Sequence, residues 1–142
     1  METIIYTLGE VKDEELKFAV IVAKFNDKYV YVKHKDRTTW EIPGGHREVN
    51  EKIDETAKRE LREETGATKF NIEAVCDYSV EKAGYDSSYG RVYYAKVEEL
   101  GTLPDLEIGE VKLFDGMPEY LTYPEIQPFL LEAVEEKNNR KK

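Results

Sequence analysis

Residues 45–67 read Gly45-HREVN-Glu51-KIDETAK-Arg59-Glu60-Leu61-Arg62-Glu63-Glu64-Thr65-Gly66-Ala67. From Asn50 to about Thr65 the residues are good helix formers without Pro or Gly, and Gly66 supplies a stop. Asn50 is the expected N-cap, with Glu51 in the first turn. On an ideal wheel with Glu60 at zero, Ile53, Ala57 and Leu61 fall at about +20°, +60° and +100°, the face expected to meet a core. Lys58, Arg62, Glu51 and Glu55 lie on the far side and read as a solvated face. Glu64 falls near +40°, between Ile53 and Ala57, with Glu60 beside it and Glu63 flanking at about −60°. Carboxylates carried inward cost several kcal/mol each unless they are compensated. Arg59 can reach Glu63 four residues on, but one guanidinium does not neutralise three acids. A hard divalent cation held by carboxylate oxygens would do so. The plainer alternative is a charged helix exposed on all sides.

On either side of this helix the pattern is that of strands. Leu16–Phe25 is a β-branched, apolar run suited to a buried strand. Asn26-Asp27-Lys28 is a turn signal, and Tyr29–Val32 resumes with β-formers, so a hairpin is expected. A short strand, Trp40-Glu41-Ile42, is expected to stop at Pro43-Gly44-Gly45. Further strands are expected over about 70–80, 91–97 and 110–114, with Ala83–Gly90 as a turn-rich loop. A last helix is expected to begin near Tyr123–Gln127, with Ile126, Phe129, Leu130, Ala133 and Val134 as its apolar stripe. The charged tail Glu135–Lys142 is expected to fray. Strands with one central and one terminal helix indicate a mixed α/β layered domain.

The chain has 142 residues, of which 30 are acidic and 21 basic, for a net charge of −9. That length suits one domain spanning residues 1–142. No apolar run approaches the roughly 18–20 residues that span a membrane. The first residues lack the pattern of a signal peptide. The single cysteine, Cys76, excludes an intramolecular disulfide and a cysteine zinc cage, and reads as a buried strand thiol. A reducing, cytoplasmic setting is expected. The acidic balance argues against long nucleic-acid polymers. It leaves room for a small phosphorylated ligand if a cation mediates.

The quoted stretch resembles the Nudix box, G-x5-E-x7-R-E-U-x-E-E-x-G-U, where U is a bulky aliphatic residue. Every fixed position matches except that Ala67 is a small occupant of the last U, and Asn50 stands where many members have a second glycine. Pro43-Gly44-Gly45 and Glu48 resemble the usual lead-in. The resemblance implies an α+β fold in which a mixed sheet is sandwiched between the catalytic loop–helix–loop and a C-terminal helix. It implies hydrolysis of a pyrophosphate bond in a nucleoside diphosphate linked to another group, assisted by Mg²⁺ or Mn²⁺. Oxidised or surplus nucleoside triphosphates are the leading candidate substrates. The alternatives are dinucleoside polyphosphates, nucleotide sugars, or a sensing module that binds nucleotides without cleaving them. By the same resemblance, Gly45 (through its carbonyl), Glu60, Glu63 and Glu64 are the metal ligands, one of these acids also serves as base, and Arg59 orients Glu63 or Glu64. Glu51 reads as structural.

Members often add an acid from a later loop, and here Glu107 is preferred over Glu110 for that role. Lys33, Arg37 and Trp40 precede the box and are candidates to meet phosphate or stack a base. Trp40 equally suits a core or rim position. Tyr85 lies where dinucleoside-polyphosphate hydrolases of the family tend to carry a tyrosine. Lys82 stands where ADP-ribose hydrolases carry a proline. His46 reads as a solvated loop residue. The partner expected is a small nucleotide, with the chain a monomer or homodimer.

Overall fold

In the computed structural model, which describes residues 1–141, seven strands and two helices run β1 (Glu2–Thr7), β2 (Leu16–Phe25), β3 (Lys28–His34), β4 (Gly44–His46), α1 (Ile53–Thr65), β5 (Ala67–Glu81), β6 (Ser88–Leu100), β7 (Ile108–Phe114) and α2 (Gln127–Arg140). A single 3₁₀ turn, Asp13–Glu15, leads into β2. One mixed sheet has the order β1-β5-β6-β2-β3-β7, with β4 added to β2. Among the described residues, the strands pair in parallel at β2 with β6 and antiparallel elsewhere. Among the described residues, no helix is long and apolar enough to cross a membrane.

The expected hairpin forms. Asn26 and Asp27 both take left-handed φ values, 53° and 64°, as a tight two-residue hairpin turn requires. The two strands pair only beside that turn, at Lys24↔Tyr29 and Phe25↔Lys28, and then part. Residues 41–46 fill the wedge that opens between them. Glu41 exchanges both backbone bonds with Val32 (2.8 and 2.9 Å), Pro43 accepts from Ile21 N–H (2.8 Å), and β4 pairs with Phe18–Val20. The strand expected at Trp40–Ile42 is therefore reduced to isolated bridges, and the regular pairing falls on the glycines instead. Gly44 permits this, because a Cβ there would stand 2.6 Å from the Ala19 carbonyl oxygen.

Period-two alternation along the strands gives the sheet two apolar faces. Ala19, Ile21, Ala23, Val30, Tyr93, Ala95 and Val97 pack with Ile53, Ala57 and Leu61 of α1. Val22, Tyr29, Tyr31, Val75, Tyr78 and Val92 pack with Leu130, Leu131 and Val134 of α2. The sheet thus lies between the two helices, as expected, and each helix buries one stripe. Hydrophobic burial of roughly 25 cal/mol per Å² on both faces is the main stabilising term.

Several boundaries differ from the sequence reading. Helix α1 starts at Ile53, not Asn50. Asn50 takes a left-handed φ of 64°, which an asparagine tolerates in a turn, and Lys52 occupies the N-cap position. Glu55 accepts a hydrogen bond from the Lys52 N–H at 2.9 Å, satisfying one early donor. In α2 the stripe uses Leu131, while Phe129 is exposed. The tail is not frayed through most of its length: α2 continues to Arg140. Tyr29 Oη donates to Glu135, Lys137 Nζ donates to the Ala74 carbonyl, and Lys141 Nζ donates to Glu73. Lys142 lies outside the described residues. Ser88–Gly90, read as loop, open β6. Strand β1 has no expectation behind it; it pairs with β5 along the sheet edge.

Candidate active site

A cavity of about 810 Å³ opens where β2 and β3 diverge, and both helices reach it. Arg59, Glu60, Glu63 and Glu64 line it from α1, with Gly44, Gly45, His46 and Glu48 from the preceding loop and His34, Glu41 and Glu107 close by. Tyr78, Val80, Ile126 and Leu130 supply apolar wall from the α2 face. A concave site of this size with one charged and one apolar lining suits a nucleotide-sized ligand.

Glu64 is 5% exposed. Its Oε1 accepts the Gly44 N–H at 2.9 Å. Among the described residues, the one basic group within 4.0 Å of it is His34, at 3.7 Å from Oε2. Burial pushes the Glu64 carboxyl up to about 8, and the neighbouring Glu60, Glu41 and Glu107 charges push the same way against the Gly44 hydrogen bond. Burial likewise raises Glu60, although the Arg59 guanidinium partly opposes it.

Arg59 is the hub of the motif. It donates to Glu51 from Nε (2.7 Å) and Nη2 (3.0 Å), to Glu60 (2.6 Å), to Glu63 (3.2 Å) and to the His46 carbonyl (3.0 Å). It does not reach Glu64; the carboxylates it fixes are Glu51, Glu60 and Glu63. Its own pKa rises, chiefly through the Glu51 bond. Glu51 accepts from Arg59, Thr56 Oγ1 (2.6 Å) and the Glu48 N–H (3.0 Å), and is held down at about 2 by the Arg59 bond first. It precedes the helix rather than lying on its solvated face, and it knits the loop to α1.

The donor set fits a divalent cation. Glu60, Glu63, Glu64 and Glu107 line the same cavity, and among the described residues the basic groups within 4.0 Å of these acids are His34 and Arg59. Gly45 lies so close to Glu60 that a Cβ would stand 2.6 Å from Glu60 Oε2, so its backbone approaches the acids in a way other residues could not.

The other sequence candidates divide. Arg37 lines the cavity, donates to Glu41 at 2.9 Å and lies over the Tyr123 ring. Glu107 lines it too, exposed on the loop before β7. Glu110 instead pairs with Lys33 at 3.1 Å across β7 and β3. Lys33 is thereby turned from the cavity, and its ammonium lies over Trp40. Trp40 packs edge-on against Phe114 in the α2-side core. Tyr85 is 71% exposed on the 82–87 loop, outside the cavity lining. Lys33, Trp40 and Tyr85 thus lie outside the cavity, for reasons of strand face and loop exposure. His46 lines the cavity, its ring tilted against Phe18 at 4.4 Å between centroids. Cys76 is buried, and burial pushes its thiol up to about 11.

Cavity residues that the sequence does not single out for the site are His34, Glu41, Tyr123 and Gln127. Glu41 is 8% exposed and lies between His34 Nε2 (3.0 Å) and Arg37. Gln127 opens α2, and its Oε1 accepts the Ile42 N–H at 2.8 Å. Strand alternation carries the missing signal for the first two. In β3, Val30 faces α1 and Tyr31 faces α2, so His34 shares the α1 side and Lys33 does not.

With the geometry in place, the chain can be set beside known proteins. YtkD of Bacillus subtilis (strain 168), a candidate 8-oxo-dGTP diphosphatase, is 33% identical over 110 residues, which are 75% of this chain and 66% of YtkD. A second candidate 8-oxo-dGTP diphosphatase of the same organism is 43% identical over 47 residues, 33% of this chain and 32% of its own length. The matched stretches therefore fall short of two thirds of these relatives' lengths. The crystal structure of the Bacillus subtilis pyrophosphohydrolase BsRppH superposes with a TM-score of 0.81 at 24% identity, covering 95% of this chain and 90% of that one. A UDP-X diphosphatase superposes at 0.73 with 20% identity, covering 89% and 64%. The family model described as the NUDIX domain matches residues 15–138. These residues hold the whole cavity lining, and the chain belongs to the Nudix family.

Proposed function

We propose that this chain is a divalent-cation-dependent hydrolase that breaks a pyrophosphate linkage in a nucleoside diphosphate joined to a second group. Nucleoside triphosphates, oxidised ones included, are the leading substrates, and Mg²⁺ or Mn²⁺ the cation. The observation that carries this reading is the buried Glu64 carboxylate on the acidic wall of a cavity whose other wall is apolar. The relatives named as 8-oxo-dGTP diphosphatases support the choice of substrate. A cytoplasmic setting suits such a nucleotide.

The Gly45 carbonyl, Glu60, Glu63, Glu64 and Glu107 would hold the cation. When bound, it supplies positive charge to the phosphoryl oxygens and lowers the pKa of an attacking water. The chain's own residues do the rest. Arg59 fixes Glu60 and Glu63 so that their oxygens stay in place. One carboxylate of the cluster accepts the proton of the attacking water. Arg37, which lines the cavity beside Glu41, meets the phosphate chain, and Tyr78, Val80, Ile126 and Leu130 exclude water from around the base.

The test is a nucleotide panel in ¹⁸O-labelled water with product masses recorded. Solvent oxygen is expected in a phosphate-bearing product, with a nucleoside monophosphate released, and pyrophosphate as the partner when the substrate is a triphosphate. No turnover with either cation, or label confined to an unphosphorylated product, overturns the reading. Within the same assay, Glu107→Gln is expected to lower turnover more than Glu110→Gln, because Glu107 borders the cavity and Glu110 is tied to Lys33. Equal, negligible effects would confine the active acids to α1.

A further inference from the structure

Gln127, the first residue of α2, is 6% exposed and lines the cavity. Its Oε1 accepts the Ile42 N–H at 2.8 Å. A backbone N–H can only donate, so the amide oxygen is the atom that faces Ile42 and the orientation of the amide is fixed. The other half of the amide, Nε2, carries two N–H donors, and among the described residues no hydrogen bond runs from it. No enclosed side-chain polar atom of the described residues lacks a partner. Nε2 is therefore not sealed in the core; it opens on the cavity that Gln127 lines.

The Tyr78 hydroxyl stands in the same way. Tyr78 is buried and lines the cavity, and among the described residues its Oη has no hydrogen-bond partner. Val80, Ile126 and Leu130 line the cavity with these two residues. A few polar groups set in an apolar wall are what orient a ligand and make a site specific. They come from β5 and α2, whereas Glu60, Glu63 and Glu64 come from α1. The acids suit the cation and phosphate end of a nucleotide, and the Gln127 end suits its base.

The chemistry of the free donor decides which base. A glutamine with both amide atoms available pairs with adenine, its oxygen taking the 6-amino group and its nitrogen giving to N7. Gln127 has its oxygen turned to Ile42, and only the donor half is left. Guanine carries two neighbouring acceptors, O6 and N7, on one edge. Adenine and cytosine place an amino donor there, and thymine sets a methyl group beside its one acceptor. An NH₂ facing another NH₂ leaves buried donors unpaired, and a site built on a hydrogen bond rejects such an analogue strongly.

We propose that Gln127 reads the base of the substrate, Nε2 donating to O6 of a 6-oxopurine, so that the site takes guanine-type nucleotides and turns away adenine ones. This rests on the reading of the cavity as a nucleotide pyrophosphohydrolase site and names the base it takes.

The experiment measures kcat/KM of the full chain with dGTP, dITP and dATP at saturating cation. The inosine nucleotide keeps O6 and N7 but lacks the 2-amino group. It is expected within about tenfold of dGTP, and dATP at least about a hundredfold below. Gln127→Glu keeps an oxygen for the Ile42 N–H and replaces the donor by an acceptor. It is expected to lower the dGTP-to-dATP ratio at least about a hundredfold, mainly through KM. A residue that served only Ile42 would leave that ratio where it was. Gln127→Met removes the donor without adding a charge and is expected to bring the two nucleotides within about tenfold of each other. Native turnover of dATP equal to that of dGTP, dITP rejected along with dATP, or a ratio unmoved in both variants overturns the Gln127 assignment and leaves the hydrolase standing. No turnover of any nucleotide overturns the hydrolase reading along with it. If neither variant folds, the three native values decide alone.

Discussion

Replacing Glu64 by glutamine is expected to lower turnover at least about a hundredfold in saturating Mg²⁺, as the loss of a metal-site or electrostatic group typically does. The same change is expected to stabilise the cation-free protein. The side chain keeps its size and can keep its bond to the Gly44 N–H, so packing is little altered. What disappears is a buried acid beside Glu60, Glu41 and Glu107 that must take up a proton on folding below about 8 and carries an unfavourable charge above it. The pH dependence follows from the direction of the shift. The folded carboxyl titrates near 8 against an ordinary value of 4.5. Between these values the folded state holds a proton that the unfolded state has lost. Stability therefore falls as pH rises through that window and levels off above it. In chelator, melting temperature measured from pH 4.5 to 8 should decline for the native chain and stay flatter for Glu64→Gln, with the variant higher by about 5 °C near neutrality. Near-normal turnover would remove Glu64 from the chemistry. Parallel melting curves would show that its burial carries no electrostatic cost.

This pairing of lost activity with gained stability follows from a conflict visible in the sequence. A helix wheel puts Glu64 between Ile53 and Ala57, and the structure buries all three. That part was legible because a helix has one period and a core has one side. The strands were legible as strands, but the choice of residue along them was not. Lys33 and Trp40 attract attention as a cation and an aromatic ring, yet alternation turns both away from the cavity and presents their neighbours His34 and Glu41 to it. The sheet order needed to foresee this depends on the parallel pairing of β2 with β6, a contact between residues some 70 apart in the chain that no local pattern announces. The start of α1 was misplaced because Asn50 is a good cap by type, while here it turns through a left-handed conformation and Glu55 completes the helix start from inside. The tail read as loose because its residues are charged. It is held by three tertiary bonds that only the folded arrangement brings into reach.

Arg59→Gln is expected to cost both stability and turnover, through one cause. Glu51 and Glu60 are 12% and 13% exposed, and Arg59, itself 23% exposed, is their shared cation. Removing one partner of a largely buried pair leaves the other uncompensated, at a cost of about 3 kcal/mol. For a chain of this size that corresponds to a fall of about 10 °C in melting temperature. Turnover should fall as well, because Glu60 and Glu63 lose the fork that holds them. Arg59→Lys should restore little of either: an ammonium is a point charge and cannot span Glu51, Glu60 and Glu63 as a planar guanidinium does. The acid limb distinguishes this account from simple loss of packing. Arg59 holds the folded Glu51 carboxyl near 2, below its ordinary 4.5. That stability is fully present above 4.5 and is lost as pH falls toward 2. The native chain should therefore lose stability across that window, and Arg59→Gln should lose distinctly less. In the double variant Glu51→Gln/Arg59→Gln, the two costs should be less than additive, since each single change strands the other's partner. Additive costs, or an unchanged acid limb in Arg59→Gln, would show that the pair does not act as the electrostatic hub of the site.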